Sequence, residues 1–207
     1  MSKTMEHDGS VEEPGRRDWE RQDYAAATAD VLAAYGGELY GFLLSQFRGS
    51  LSDADEAFAM FSEDFWRGLP SFQWRSSIRS WCYKLARSAA SRYRRSPQNQ
   101  RKRRIPLSAE EQLNELAAKS RSSTLMHLRS EVKDGVRMLR EHLTQEDQDL
   151  LILRVDRGLS WREVAHAMAD AENEDEDTIR KLEMAVRKRF EAVTKRLKAL
   201  AEEAGLL

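Results

Sequence analysis

The sequence predicts an all-α protein made of two small helical domains joined by a flexible linker, the second carrying a helix-turn-helix. Apolar residues recur at three- and four-residue spacing through most of the 207-residue chain, the mark of amphipathic helices. Four prolines and ten glycines are too few for the many turns of an all-β fold. Charged residues at 33% against 41% hydrophobic suit long, charged helices.

Residues 1–22 are polar and charged without an apolar core, so they read as a disordered tail and not as a signal peptide. Residues 24–48 then carry Val31, Leu32, Tyr35, Leu39, Phe42, Leu43 and Phe47 at helical spacing. Gly36, Gly37 and Gly41 weaken that helix and place a bend near Gly36. Gly49-Ser50 ends it. Ser52 and Asp53 offer a cap for a second helix over 53–68, which holds Phe58, Phe61, Phe65 and Trp66 and stops at Gly68-Leu69-Pro70. An aromatic and basic loop, Phe72-Gln73-Trp74-Arg75, leads to a third helix capped by Ser76 or Ser77. Its core stripe is Ile78, Trp81, Cys82, Leu85, Ala86 and Ala89. Cys82, the chain's single cysteine, excludes an internal disulfide or a multi-cysteine zinc site and makes the cytoplasm the default compartment. It reads as a small buried hydrophobe.

Residues 97–124, with the run Arg101-Lys102-Arg103-Arg104, read as the linker. The second domain, 125–207, opens on a stripe of Leu128, Val132, Val136, Leu139 and Leu143. Thr144 caps a helix carrying Leu150, Leu151, Leu153 and Val155, which Gly158 terminates. Ser160-Trp161-Arg162-Glu163 is a capping box that starts a short helix with Val164, Ala165 and Met168 inward. Thr178 caps a final long helix with Ile179, Leu182, Val186, Phe190, Val193, Leu197 and Leu200 on one side. Its other side is cationic: Arg180, Lys181, Arg187, Lys188, Lys195 and Lys198.

Net charge is −1, but its distribution is uneven. From Arg67 to Arg104 there are about a dozen Lys or Arg residues and no Asp or Glu, which points to a polyanionic partner. Two helices joined by a turn, the second presenting cations, fit the major groove of DNA. A helical hairpin whose basic side is only solvated fits the final pattern equally well. The four histidines, His7, His127, His142 and His166, have no metal-ligand spacing, and no glycine-rich phosphate loop or nucleophile elbow occurs. Neither catalysis nor a metal or other cofactor is expected. No stretch approaches the roughly 20 apolar residues of a membrane span, so no membrane insertion is expected.

Taken together, the two halves resemble the extracytoplasmic-function sigma factors. Asp53-Ala54-Asp55-Glu56 followed by Trp66 is similar to that family's acidic motif and tryptophan. Phe72, Arg79-Ser80-Trp81, Leu85-Ala86-Arg87 and the basic Arg92-Tyr93-Arg94-Arg95 continue the likeness. In the second half Leu150 to Arg154, Gly158-Leu159-Ser160, Glu163-Val164-Ala165, Thr178-Ile179-Arg180 and Arg187-Lys188-Arg189 resemble the family's fourth region. The resemblance implies a factor that brings core RNA polymerase to promoter DNA, with an anti-sigma protein as a further candidate partner on the same surface. It implies polymerase binding by Asp53, Asp55 and Glu56 over a first domain spanning 23–96. Promoter opening would fall to Phe72, Trp74, Arg75, Arg79, Arg87, Arg92, Arg94 and Arg95. Reading of the farther promoter element would fall to Ser160, Arg162, Thr178, Arg180, Lys181, Arg187 and Lys188.

The chain departs from the family at three places. Ala59-Met60 stand where Gln-Glu is frequent, and Ser88 and Ser91 where Asn and Asp are common. The connection before the final helix is about four residues longer than usual and holds Asp170, Glu172, Glu174, Asp175, Glu176 and Asp177. Acids there repel phosphates within a Debye length of roughly 8 Å. These departures motivate the alternative of a sigma-like helix-turn-helix regulator that binds DNA without serving as a polymerase subunit.

Overall fold

The computed structural model describes residues 13–96, 142–170 and 175–203. The protein is all-helical: among these residues every regular element is a helix and none is a strand. The chain divides into two compact units that part after Ser91. The expected linker, and the expected helix from Leu128 up to Leu143, lie outside the described residues apart from His142 and Leu143.

The first unit begins where a tail was expected. Residues 13–22 are folded, with a short helix α1 at Arg16–Glu20. Asp23 then caps α2, Tyr24–Gln46, its carboxylate accepting from the Ala26 N–H at 3.0 Å. The helix is continuous through Gly36 and Gly37. Two interior glycines cost about 1 kcal/mol each against alanine. Burial of Val31, Leu39, Phe42 and Leu43 on the same helix outweighs that, since each large side chain contributes about 1.5–3 kcal/mol. α3, Leu51–Gly68, starts two residues earlier than expected because Ser50 supplies the cap, its hydroxyl accepting from the Asp53 N–H. Pro70 then sits in a single 3-10 turn, Leu69–Ser71, where its missing N–H costs nothing.

α4, Ile78–Arg95, buries the whole predicted stripe of Ile78, Trp81, Cys82, Leu85, Ala86 and Ala89. Ser77 is its cap, accepting from the Ser80 N–H at 3.2 Å. An aromatic core joins these helices: Phe42 meets Tyr83 edge-on at 5.4 Å, and Phe65 lies 5.1 Å from Trp81. Cys82 is fully enclosed, and burial pushes its thiol well above the usual range. It is a packing residue.

In the second unit Thr144 caps α5, Gln145–Leu151, as the sequence indicates. A wider, π-type turn follows over Ile152–Asp156, closed by the Arg157 N–H on the Ile152 carbonyl. The extra residue rotates the register, and Val155 is exposed. Gly158, at φ +68°, ends the segment in the left-handed conformation that glycine adopts freely. Both arms of the predicted capping box form at α6, Trp161–Met168: Ser160 Oγ accepts from Glu163 N, and Glu163 Oε2 accepts from Ser160 N.

α7 spans Glu176–Glu203. Its cap is Asp175 rather than Thr178: Asp175 Oδ1 accepts the Thr178 N–H at 2.7 Å, which holds that carboxyl below its ordinary pKa. Ala165 and Ala169 pack on Ile179 and Leu182, joining α6 to α7, while Leu143 and Leu151 pack on Phe190, Val193 and Leu197.

Candidate nucleic-acid interface

The aromatic loop of the first unit is less open than its composition suggests. Phe72 is only 9% exposed and stacks on Trp81 with ring centroids 4.6 Å apart and an interplanar angle of 23°. It is therefore a core residue, which corrects the expectation that it meets DNA. Trp74 is half-buried and leaves the loop at φ +54°, a conformation that non-glycine residues seldom adopt. Such strain persists only where surrounding contacts hold it, and it concentrates at functional sites. Here the indole is gripped by Phe72 at 5.1 Å, by the edge of Trp19 at 5.7 Å and by the Arg16 guanidinium at 5.0 Å. Its Nε1–H is buried without a hydrogen-bond partner among the described residues.

The arginines of the loop and of α4 differ in exposure. Arg79 donates through Nε and Nη2 to both carboxylate oxygens of Glu38, at 2.7 and 2.8 Å, with each side chain about three-quarters buried. A bidentate, partly desolvated pair fastens α4 to α2, so Arg79 is a structural residue and not the expected phosphate contact. Arg75 is exposed beside Trp74, and Arg92 and Arg95 are exposed on the last turn of α4, with Arg87 and Arg94 half-buried. Cations at a helix C-terminus are favoured by its dipole, so the arrangement carries a structural benefit as well as positive potential.

On α3, Asp55 and Glu56 are exposed and Asp53 is half-buried. Asp55 accepts the Tyr40 hydroxyl at 2.7 Å, and that bond raises the tyrosine pKa. A further residue of this face is Trp66, 49% exposed although the sequence pattern groups it with the core phenylalanines. Its spacing of eleven residues from Asp55, three helical turns, is the signal that places it on the outward stripe with Glu63.

In the second unit the expected DNA contacts are partly occupied. Arg162 forks onto Glu176, donating at 2.7 and 2.6 Å, and that pairing holds the Glu176 carboxyl below its usual range. Arg187 pairs with Glu183 one turn away and lies 5.8 Å from the Trp161 ring, over which Arg154 also sits at 4.6 Å. Ser160 spends its hydroxyl in the capping box. Thr178 and Arg180 are exposed, Arg180 lying 3.4 Å from Asp177. Lys181 and Lys188 are exposed and form no ion pair among the described residues.

The acids before α7 thus have internal duties: Asp175 caps, Glu176 clamps Arg162, and Asp177 faces Arg180. Of the remaining acids of that connection, Asp170 is exposed, and Glu172 and Glu174 lie outside the described residues. No group of His, Cys, Asp or Glu among the described residues is arranged to hold a metal ion. No described helix is long and apolar enough to cross a membrane.

The fold and these surfaces define an all-helical protein that presents exposed cations on two helices, α4 and α7. Compared with known proteins, the chain matches no family model and no curated protein.

Proposed function

We propose that the chain is a sigma factor of the extracytoplasmic-function kind, a cytoplasmic subunit that brings core RNA polymerase to promoter DNA and performs no chemistry itself. The observation that carries this reading is the strained Trp74 at the head of the arginine-bearing helix α4. Opening a duplex needs an aromatic surface to receive an unstacked base and cations to hold its backbone, whereas plain duplex binding needs only the cations. Trp74 with Arg75 supplies the first requirement, and Arg87, Arg92, Arg94 and Arg95 supply the second. In the second unit α6 and α7 act as a helix-turn-helix, with Thr178, Arg180, Lys181 and Lys188 toward the groove and Arg162 fixing the angle between the helices. The acidic stripe of α3, with Trp66 at its end, is the docking face for polymerase, and an anti-sigma protein competing with polymerase would use the same face.

Trp66→Ala is expected to weaken binding to core polymerase by more than about 2 kcal/mol while leaving the melting curve unchanged, since exposed tryptophans are frequent interface hot spots. Binding of labelled variant to core enzyme checks it. The double variant Lys181→Ala, Lys188→Ala is expected to lower the slope of log affinity against log salt on duplex DNA by about 1.8, roughly 0.9 for each lost phosphate contact.

The Asp55–Tyr40 bond and the Arg162–Glu176 fork occupy two expected contacts, which favours a second reading, a sigma-like DNA-binding regulator without polymerase. Co-purification with core RNA polymerase separates the two. Stable association supports the first, and duplex binding with no polymerase association supports the second.

A further inference from the structure

We infer that residues 13–22 form a strap that occupies the base-receiving loop and competes with single-stranded DNA for it. This rests on Trp74 being the base-stacking residue. The strap ties down both ends of the loop at once. Trp19 Nε1–H donates to the Leu69 carbonyl at 2.7 Å, on the loop's leading side. The Glu13 carboxylate accepts the Ile78 N–H at 2.7 Å, at the first residue of α4. Between these anchors Arg16 and Trp19 close on the Trp74 indole.

The contacts imitate a nucleic-acid strand. A carboxylate at the N-terminus of an 18-residue helix takes the position that a backbone phosphate favours, for the same dipole and N–H reasons. A guanidinium on an indole face uses the same π surface that a base would stack on. Strap and strand cannot both be there.

The strap is also built to leave. α1 has five residues, far below the dozen or so at which an isolated helix becomes stable, and none of them is buried. Arg16 and its partner Glu20 are half exposed or more. Its seat depends on Gly15, at φ +74°, where an added Cβ would lie 2.6 Å from the Ala27 carbonyl oxygen. Any side chain at that position strains the backbone and pushes the strap off α2. The atoms nearest an added Cβ belong to Ala27 and Val31 of α2, so Gly15→Ala loosens the strap from the α2 side.

The test is binding of a fluorescent single-stranded oligonucleotide to the full chain, read by anisotropy, with melting curves on every variant. Arg16→Ala, Glu13→Ala and Gly15→Ala are each expected to tighten binding, by roughly tenfold for a lost hydrogen bond or cation–π contact. Adding Trp74→Ala is expected to abolish the gain. Arg16 is exposed, so its variant stays informative should Gly15→Ala destabilise the unit. If Trp74→Ala weakens binding in every background but the strap variants bind no tighter than the natural chain, the strap is overturned and base capture stands. If Trp74→Ala changes nothing in any background, base capture itself fails, and the strap with it.

Discussion

Phe72→Ala is expected to cost about 3–5 kcal/mol of stability, the range for deleting a buried phenylalanine from a packed core. The ring is sandwiched by Trp81 at 4.6 Å and Trp74 at 5.1 Å, and Trp81 in turn lies against Phe65. Its removal opens a void between the 3-10 turn and α4 and takes away one wall of the Trp74 grip. Trp74→Ala differs in kind. It deletes a half-buried ring whose backbone strain, of order 1 kcal/mol, persists in alanine, and whose indole N–H makes no hydrogen bond among the described residues. Thermal unfolding should therefore fall by many degrees for Phe72→Ala and by few for Trp74→Ala. Affinity for a displaced strand should fall for Trp74→Ala by the roughly 1–3 kcal/mol of one base stack. Equal loss of stability in both variants would make Trp74 a core residue too.

Arg189→Ala is expected to destabilise the second unit by about 2–4 kcal/mol, because it strands a carboxylate that burial has already removed from water. Arg189 donates to Asp147 at 2.6 Å and also reaches Glu146 and the Thr144 hydroxyl, so one side chain ties α7 to the capped start of α5. Asp147 is 8% exposed. Burial pushes its pKa up, but hydrogen bonds from Arg189 and Thr144 outweigh that and hold it below the ordinary value. The sign follows from the depressed folded-state pKa. The stabilisation is fully present above the unfolded pKa of about 3.9 and is lost as pH falls through the lower folded value. Urea melts at pH 7 and near pH 3 check both parts. The natural chain loses stability on acidification, and Arg189→Ala, already deprived of the clamp, loses less.

The helices were legible because their apolar stripes, caps and stops are local. Thr144, the Ser160 capping box and the Pro70 stop all sit where chain-neighbour chemistry puts them. What escaped the sequence is non-local. The lack of acids near Arg79 suggested an unpaired cation, yet its partner Glu38 arrives from another helix 41 residues away. Arg162 finds Glu176 in the same way, across a connection that reads as plain acidic filler. Phe72 and Trp74 look alike in a basic loop, and only the packing of Trp81 separates core ring from strained ring. Residues 13–22 lack an apolar stripe, so nothing periodic betrays them, although Trp19 and Gly15 are the two residues that an idle tail has least use for.

Whether this chain starts transcription, and by which residue, is decided by run-off transcription with core RNA polymerase on a library of bacterial promoter fragments. Fully duplex templates are compared with the same promoters carrying a pre-opened bubble. The account predicts initiation only when the chain is added, failure of Trp74→Ala on duplex templates, and recovery of that variant once the bubble is supplied. Duplex binding with no chain-dependent transcript on either template would contradict it.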